Sequence, residues 1–223
     1  SEDVPARLGS GDFGSARETA EVIHEAAIGA YRRGGCGLGL AVGRLLLDRA
    51  VPFAHCSLLA TAAALDIPVT VHVALGTDTV HIHPAMDGAA IGALSHYDFR
   101  LFCRLVASLR QGVYINLGSA VILPEVFLKA VSAVSNLGYS LDGITTVNMD
   151  FIRHYRAQTN VVERPTAGRG EGLTLIGHHE IMFPLLMAAV CEELEAAPES
   201  EIGNQDPRPN SQEPRAKSRG DRK

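Results

Sequence analysis

The chain has 223 residues, of which 46% are hydrophobic and 20% are charged. This composition predicts a globular protein with one sizeable core. The formal net charge is −5 and the basic residues form no stripe, which argues against a nucleic-acid partner. No apolar run reaches the roughly 18 residues needed to cross a bilayer, and no secretory signal opens the chain. We therefore expect a cytoplasmic protein with no membrane partner.

The two ends of the chain differ from its middle. Residues 196–223 are rich in Pro, Ser, Asn and alternating charge, which predicts a disordered polar tail after one domain at 1–195. The opening stretch SEDVPARLGSGDFG has no initiator methionine and enters as a loop, so we expect a fragment. The cysteines lie far apart in apolar segments, and we predict reduced core thiols at Cys36, Cys56, Cys103 and Cys191.

Helical and β-branched patterns alternate along the middle of the chain. Helical spacing of apolar or small residues predicts helices at 15–33, 57–65, 96–109, 124–138 and 180–194. Short β-branched runs predict strands at 67–75, 112–118, 143–149 and 173–177. This order indicates βαβ units, and hence an α/β fold with a mostly parallel sheet and helices on both faces. Such sheets bind ligands where strands end, which here means the loops 76–95, 118–123, 148–172 and 176–179.

The stretch GTDTVHIHP offers two histidines and an aspartate at the end of a predicted strand. His81 and His83 are two residues apart, so in an extended chain both rings would point to the same side, as a metal-binding pair requires. Asp78 could add an oxygen ligand, and the later stretch GHHE supplies His178 and His179. An ordinary half-buried segment shows the same alternation, so both interpretations stay open.

Two glycine-containing stretches resemble phosphate-binding loops. In NLGSAVILPE, Gly118 and Ser119 lie between a strand and a helix, where a phosphate or ribose could approach the backbone. A tight turn that requires glycine explains the same residues equally well. The stretch GGCGLGLAVG, at 34–43, follows a helix instead of a strand, which makes a phosphate role there less favoured.

The segment 148–172 has the most polar side chains. Arg153, Arg156 and Arg164 follow the end of a predicted strand. The planar guanidinium group suits a carboxylate or a phosphate, so we predict that these arginines bind a small anionic substrate. The alternative is a solvated or subunit-contacting loop.

The order of these segments resembles the carboxyl-terminal two thirds of deoxyhypusine synthase. The resemblance rests on GDF, IPV followed by ALGTD, DFRLFCRLVASL, GVYINLGSAV, ITTVN and HHEIMFPLLMAAV, and it covers most of residues 9–194. It implies a Rossmann-like, NAD-binding domain in a homo-oligomer, a dimer or a tetramer. It also implies that the first βαβ units precede Ser1. The enzymes of that family oxidise spermidine with NAD and transfer its aminobutyl group through a lysine imine.

The resemblance implies roles for individual residues. Asp78, allowing a one-residue shift, matches a cofactor-facing aspartate, Gly118 matches a strand-end glycine, and Asn148 matches an asparagine of the penultimate strand. Together with Ser119, these residues are predicted to face NAD. Because histidine exchanges protons near neutral pH, the predicted proton carriers are His81, His83, His178 and His179.

The chain departs from this family in its chemistry. The imine-forming lysine belongs before the final strand, where this chain reads GRGEGLTLI, and its lysines are Lys129, Lys217 and Lys223. Without an amine at that place the imine step has no nucleophile. An arginine-rich segment replaces the family's acidic run, and it would repel a polyamine. We therefore expect an NAD-dependent oxidoreductase or transferase for a small anionic substrate, not a true deoxyhypusine synthase.

Two other functions fit the same residues. One is a metal-dependent hydrolase in which a divalent ion such as zinc activates a water and is held by His81, His83, His178 and Asp78. The other is a non-catalytic Rossmann scaffold that serves oligomer assembly or partner binding.

Overall fold

The structure is a computed structural model that describes residues 4–10 and 17–196. The described residues divide between Leu105 and Val106 into two units, called here unit 1 and unit 2. The predicted tail lies outside the described residues except for Ala196, where the last helix ends. No helix within the described ranges has the length and the hydropathy needed to cross a membrane.

Unit 1 consists of helices around a core of small apolar side chains. Its helices are α1 (Val4–Ser10), α2 (Arg17–Arg33), α3 (Leu38–Asp48), α4 (Leu58–Ala64) and most of α5 (Gly88–Ala107), with 3-10 turns at Ala54–Cys56 and Thr79–Ile82. Alanines let these helices pack closely, and the core cluster is Ala26, Ala27, Ala30, Leu38, Ala41, Val42, Ala90, Ile91 and Leu94. The predicted helices at 15–33 and 57–65 are confirmed over their described residues.

The sequence does not predict α3, because its glycines weaken the helical pattern. Those glycines are explained by close packing. An ideal Cβ on Gly39 would lie 2.3 Å from the carbonyl oxygen of Val69, and one on Gly43 would lie 2.3 Å from that of Leu59. Real Cβ atoms do not approach backbone so closely, so the stretch 34–43 brings α3 against its neighbours.

The strand predicted at 67–75 is wrong. Residues 67–74 join no sheet among the described residues. Side chains of α5 bind this segment instead: the Val71 N–H donates to Asp98 Oδ2 over 3.0 Å, and the Val73 N–H donates to Ser95 Oγ over 3.1 Å. The β-branched composition favours a strand, but a β-ladder also needs a neighbouring strand, and the described part of unit 1 supplies none.

Unit 2 contains a parallel sheet of three strands in the order β1 (Val113–Leu117), β2 (Ile144–Asp150) and β3 (Gly170–Ile176). Helix α6 (Ile122–Asn136) connects β1 to β2, and α8 (His179–Ala196) follows β3. These elements lie within three residues of their predicted positions. The parallel direction of the strands confirms the α/β class and is compatible with a Rossmann-like fold.

One face of this sheet is covered by helices. Tyr114 and Asn116 of β1 lie in register with Thr146 and Asn148 of β2, so all four side chains share that face. The ring of Tyr114 stacks on Phe127 of α6, with centroids 3.6 Å apart, and burial raises the pKa of Tyr114 to about 12. This face therefore carries a row of polar side chains beneath α6.

The segment predicted as a loop at 148–172 contains helical residues at 155–163. The short helix α7 (Tyr155–Ala157) runs into a π-helix at Gln158–Glu163. The Thr146 hydroxyl donates to the carbonyl of Val161 over 2.7 Å, which places the π-helix on the same face of the sheet as α6. π-Helical turns are rare and occur frequently at functional sites.

The opposite face of the sheet is apolar and partly exposed. Val113, Ile115 and Leu117 of β1 are 57%, 42% and 41% exposed, and Leu173 of β3 is 39% exposed. Val147 and Met149 of the central strand β2, on the same face, are only 8% and 1% exposed. The prediction of four core thiols is also wrong in part, because Cys56 and Cys191 are exposed.

Candidate functional site

The candidate site lies at the carboxyl end of the sheet in unit 2. Backbone hydrogen bonds extend the ladders just beyond the strands: the Gly118 N–H donates to Met149, and the Gly177 N–H donates to Asp150, both over 3.0 Å. The residues that follow all three strands are thereby fixed at one edge. Parallel α/β sheets bind their ligands at this edge.

Two asparagines form a buried amide pair at this edge. Asn116 and Asn148 lie in register on β1 and β2, and they are 1% and 0% exposed. The Asn116 amide donates to Asn148 Oδ1 over 2.7 Å and to the Ser119 carbonyl over 2.9 Å. This leaves Asn116 Oδ1, an acceptor, and Asn148 Nδ2, a donor, without a partner among the described residues. Unpartnered buried polar atoms are rare in folded proteins and require an explanation.

Asp150 ends β2 next to this pair and is 2% exposed. Its Oδ1 accepts the N–H of Phe151 over 2.8 Å. Two imidazoles face the carboxylate: His154 Nε2 lies 3.7 Å from Oδ2, and His179 Nε2 lies 3.7 Å from Oδ1. Both histidine side chains are one-third exposed. The carboxylate is therefore enclosed and the two rings are partly exposed, but Nδ1 of the His179 ring is buried and has no hydrogen-bond partner among the described residues.

The strand-to-helix turn after β1 contacts one of these rings. Gly118 has a φ of +67°, and an ideal Cβ on it would lie 3.1 Å from His179 Nε2. The Ser119 hydroxyl accepts the Leu123 N–H over 3.2 Å, in the first turn of α6. Gly118 thus allows His179 to approach the turn, and the Ser119 hydroxyl satisfies one N–H group in the first turn of α6.

The GHHE stretch divides its two histidines between different environments. His179 is the first residue of α8 and faces Asp150, whereas the side chain of His178 is exposed. The ring of His179 also meets Phe151 edge-on, with centroids 6.4 Å apart. Of the two, His179 is the histidine that the fold positions.

The three predicted substrate arginines have different partners. Asn160, which is 4% exposed, donates to Glu125 over 2.8 Å and accepts from Arg164 over 2.9 Å. Arg156 lies 3.7 Å from the same Glu125 carboxylate. Arg153 is exposed and has no ion pair within the described ranges. Of the three arginines, Arg153 is therefore the one whose charge interacts least with other residues of the described fold.

The histidines of GTDTVHIHP lie in unit 1 and have structural partners there. Their segment is a 3-10 turn, so the extended geometry predicted for the HxH pair is wrong. His81 Nδ1 accepts the N–H groups of Gly76 and Asp78 over 3.1 and 3.3 Å, and His83 Nδ1 accepts that of Ala85 over 3.1 Å. These bonds leave only the Nε2 atoms of both rings for other ligands.

A buried histidine that the sequence did not point to, His24, anchors this turn. His24 of α2 is 1% exposed, donates through Nε2 to the Val80 carbonyl over 2.8 Å and stacks on His83 with centroids 6.1 Å apart. Asp78 caps the 3-10 turn and accepts a hydrogen bond from the Thr79 hydroxyl. Over residues 4–10 and 17–196, no group of three or more His, Cys, Asp or Glu side chains is arranged to hold a metal ion.

The other glycine-rich stretch offers no free helix N-terminus. Asp98 Oδ2 accepts the N–H groups of Leu38 and Gly39 over 2.9 and 3.2 Å, in addition to that of Val71. Burial raises the pKa of Asp98, and these three hydrogen bonds oppose that shift. Since a carboxyl group already binds the first turn of α3, the geometry does not favour a phosphate there.

Three residues of the candidate site were not predicted as site residues: Asn116, Asp150 and His154. A signal for one of them, Asp150, exists in ITTVNMD, where Thr146, Asn148 and Asp150 alternate with apolar residues and so share one face of β2. Their convergence with the turns after β1 and β3 depends on strand order, which one sequence does not specify.

Comparisons with known proteins identify no relative. No family model, no curated protein and no solved structure matches the chain.

Proposed function

We propose that this chain is a deoxyhypusine-synthase-like, Rossmann-like protein that binds a dinucleotide, NAD, at the carboxyl end of the unit 2 sheet. The observation that carries the proposal is the buried Asn116–Asn148 pair at that edge, with one donor and one acceptor unpartnered. Gly118 follows β1 beside the pair, and its turn is the place where the family resemblance puts a cofactor. Ordered polar groups at a strand end are the usual anchor for a nucleotide in such sheets.

These residues are chemically suited to a dinucleotide. Amide side chains donate to and accept from ribose hydroxyls and carboxamides, and an exposed glycine lets a ligand approach the backbone. When bound, NAD would accept a hydride through its nicotinamide ring. In this arrangement Asn148 and Asn116 would orient the cofactor, and Gly118 would leave room beside it.

The substrate that we propose is small and anionic. Arg153 is the exposed guanidinium group closest in sequence to the end of β2, and arginine pairs well with carboxylates and phosphates. Arg156 and Arg164, which contact Glu125 and Asn160, would fix the segment that carries it. Imine chemistry is not part of the proposal, because Lys129, the one lysine of the sequence before its final 27 residues, lies on α6.

Titration calorimetry of the full chain with NAD and NADH tests the proposal. We expect binding to the wild type, and at least tenfold weaker binding to Asn148→Asp, which replaces the unpartnered donor with a carboxylate oxygen. The matched control is Asn136→Asp at the exposed end of α6, which should bind like the wild type. Absence of binding of either nucleotide to the wild type would contradict the proposal.

A homo-oligomer is part of the same proposal. The apolar face of the sheet and the exposed apolar side chains of α8, among them Ile181, Phe183 and Leu185, are consistent with further packing partners. The metal-dependent hydrolase receives no specific support, since two of the histidines that it needs, His81 and His83, accept backbone hydrogen bonds in unit 1.

A further inference from the structure

The carboxylate of Asp150 has an arrangement that the binding of a cofactor does not explain. It is 2% exposed, it accepts one backbone hydrogen bond at Oδ1, and its Oδ2 has no hydrogen-bond partner in the described part of the chain. A buried carboxylate with an unsatisfied oxygen is costly to the fold. Such groups tend to persist where they serve a function.

Both nearby imidazoles approach this carboxylate from elements that begin at the sheet edge. His154 precedes α7 and faces Oδ2, while His179 opens α8 and faces Oδ1, each across 3.7 Å. These separations are longer than hydrogen bonds, and small ring rotations would shorten them. Catalytic hydrogen bonds are often long before a ligand binds.

We infer that Asp150, His154 and His179 form a proton-exchange centre for the ligand that binds at this edge. The inference rests on the proposed function and assigns the acid–base chemistry of that site. Asp150 is a positioning residue: each of its oxygens receives the Nε2–H of one ring. Nδ1 of His154 then takes a proton from an O–H or N–H group of the ligand, because the corresponding Nδ1 of His179 is buried.

The charge balance favours this division of roles. When a ring takes up the ligand's proton it becomes an imidazolium, and the positive charge develops beside the buried carboxylate. When the proton leaves, the neutral ring keeps its Nε2–H on Asp150. The carboxylate thus holds the His154 ring in the tautomer whose Nδ1 can accept a proton, as in other carboxylate–histidine pairs.

The neighbouring residues distinguish this centre from an incidental ion pair. Gly118 provides the space in which the His179 ring reaches Asp150, since a Cβ there would crowd Nε2. His178, adjacent in sequence, is exposed and does not contact Asp150. His178 therefore provides a matched control for His179.

Nitrogen-15 NMR of the histidine rings in the full chain, without nucleotide, tests the inference. With neutral rings we expect the wild-type His154 and His179 to carry the proton on Nε2. In Asp150→Asn, the amide oxygen should take the place of Oδ1, because it can accept the Phe151 N–H. The amide nitrogen then takes the place of Oδ2 and donates to His154. His154 should then switch its proton to Nδ1, while His179 and the control His178 keep their tautomers.

Thermal unfolding of the same variant separates proton exchange from a purely structural role. If Asp150 serves proton exchange, its buried carboxylate destabilises the fold. Asp150→Asn, which removes the charge, should then have an unchanged or higher melting temperature. A lower melting temperature, a failure to fold or an unchanged His154 tautomer would overturn the inference. Calorimetry of the wild-type chain with NAD tests the cofactor proposal separately, because that measurement does not involve the Asp150 variant.

Discussion

The position of the His179 ring depends on the absence of a side chain at Gly118, although the two residues follow different strands of the sheet. The φ of Gly118 is +67°, and an ideal Cβ at this position would lie 3.1 Å from Nε2 of the His179 ring. The same nitrogen lies 3.7 Å from Asp150. A methyl group at Gly118 would therefore compete with Asp150 for the position of the ring.

Gly118→Ala is expected to destabilise unit 2 for two reasons. The left-handed backbone conformation costs an alanine roughly 1–2 kcal/mol, and crowding against the ring adds about 1 kcal/mol or more. Gly168→Ala is the matched control, because Gly168 has a φ of +70° and no atom within 4 Å of its ideal Cβ. Equal losses in chemical denaturation of the two variants would show that the His179 contact is unimportant.

The glycines of α3 should be intolerant of substitution because of packing. Gly39→Ala places a Cβ 2.3 Å from the Val69 carbonyl, which is backbone, and we expect a loss of about 2 kcal/mol or more. Gly92→Ala in α5 meets open space and should stabilise its helix by about 1 kcal/mol. Denaturation curves in which Gly39→Ala equals or exceeds the wild type in stability would contradict this packing.

Asp98 is expected to be the most sensitive carboxyl group of unit 1. Asp98→Ala leaves three N–H groups without an acceptor and should cost about 3 kcal/mol. Asp98→Asn should cost less, since the amide oxygen can still accept. The exposed control Asp142→Ala should stay within about 0.5 kcal/mol of the wild type, as measured by urea denaturation. If Asp98→Ala were as stable as the wild type, the hydrogen bonds that Asp98 accepts from these three N–H groups would not be needed for stability.

The raised pKa of Asp98 has a defined effect on stability. The folded state keeps the Asp98 proton to a higher pH than the unfolded chain does. Between the ordinary aspartate pKa and the raised value, this residue therefore makes the free energy of unfolding fall as the pH rises. The difference in stability between wild type and Asp98→Asn should change with pH in that window, and a constant difference would exclude the raised pKa.

The cysteines should differ in their reactivity toward a thiol reagent. Cys56 and Cys191 are exposed, whereas burial raises the pKa of the half-buried Cys103 and lowers its thiolate fraction. We expect two fast-reacting thiols, and Cys56→Ser and Cys191→Ser should each remove one. A fast reaction that survives both substitutions together would contradict these exposures.

The sequence predicted those strands and helices whose signals are short-range patterns of residues. The strands β1 and β2 and the helix α6 were predictable because β-branched runs and helical spacing are short-range signals. The segment 67–74 has the same β-branched composition, but its hydrogen bonds go to Asp98 and Ser95. Strand formation depends on a neighbour that composition does not reveal.

The candidate site was predictable only in part. Gly118, Ser119, Asn148 and His179 were expected at strand ends, and the structure brings them to one edge of unit 2. Asp150 was missed because a single carboxylate at the end of a strand carries no motif. Asp150 is notable because the rings of His154 and His179 approach it from different elements, and only the three-dimensional structure shows this arrangement.

Native mass spectrometry of the full chain with NAD is the most direct test of the central proposal. We predict that one dinucleotide binds per chain, that the complex is a dimer or a tetramer, and that Asn148→Asp greatly reduces the bound fraction. A wild-type chain that stays free of NAD and NADH at concentrations that saturate known dinucleotide-binding proteins would contradict the proposed function.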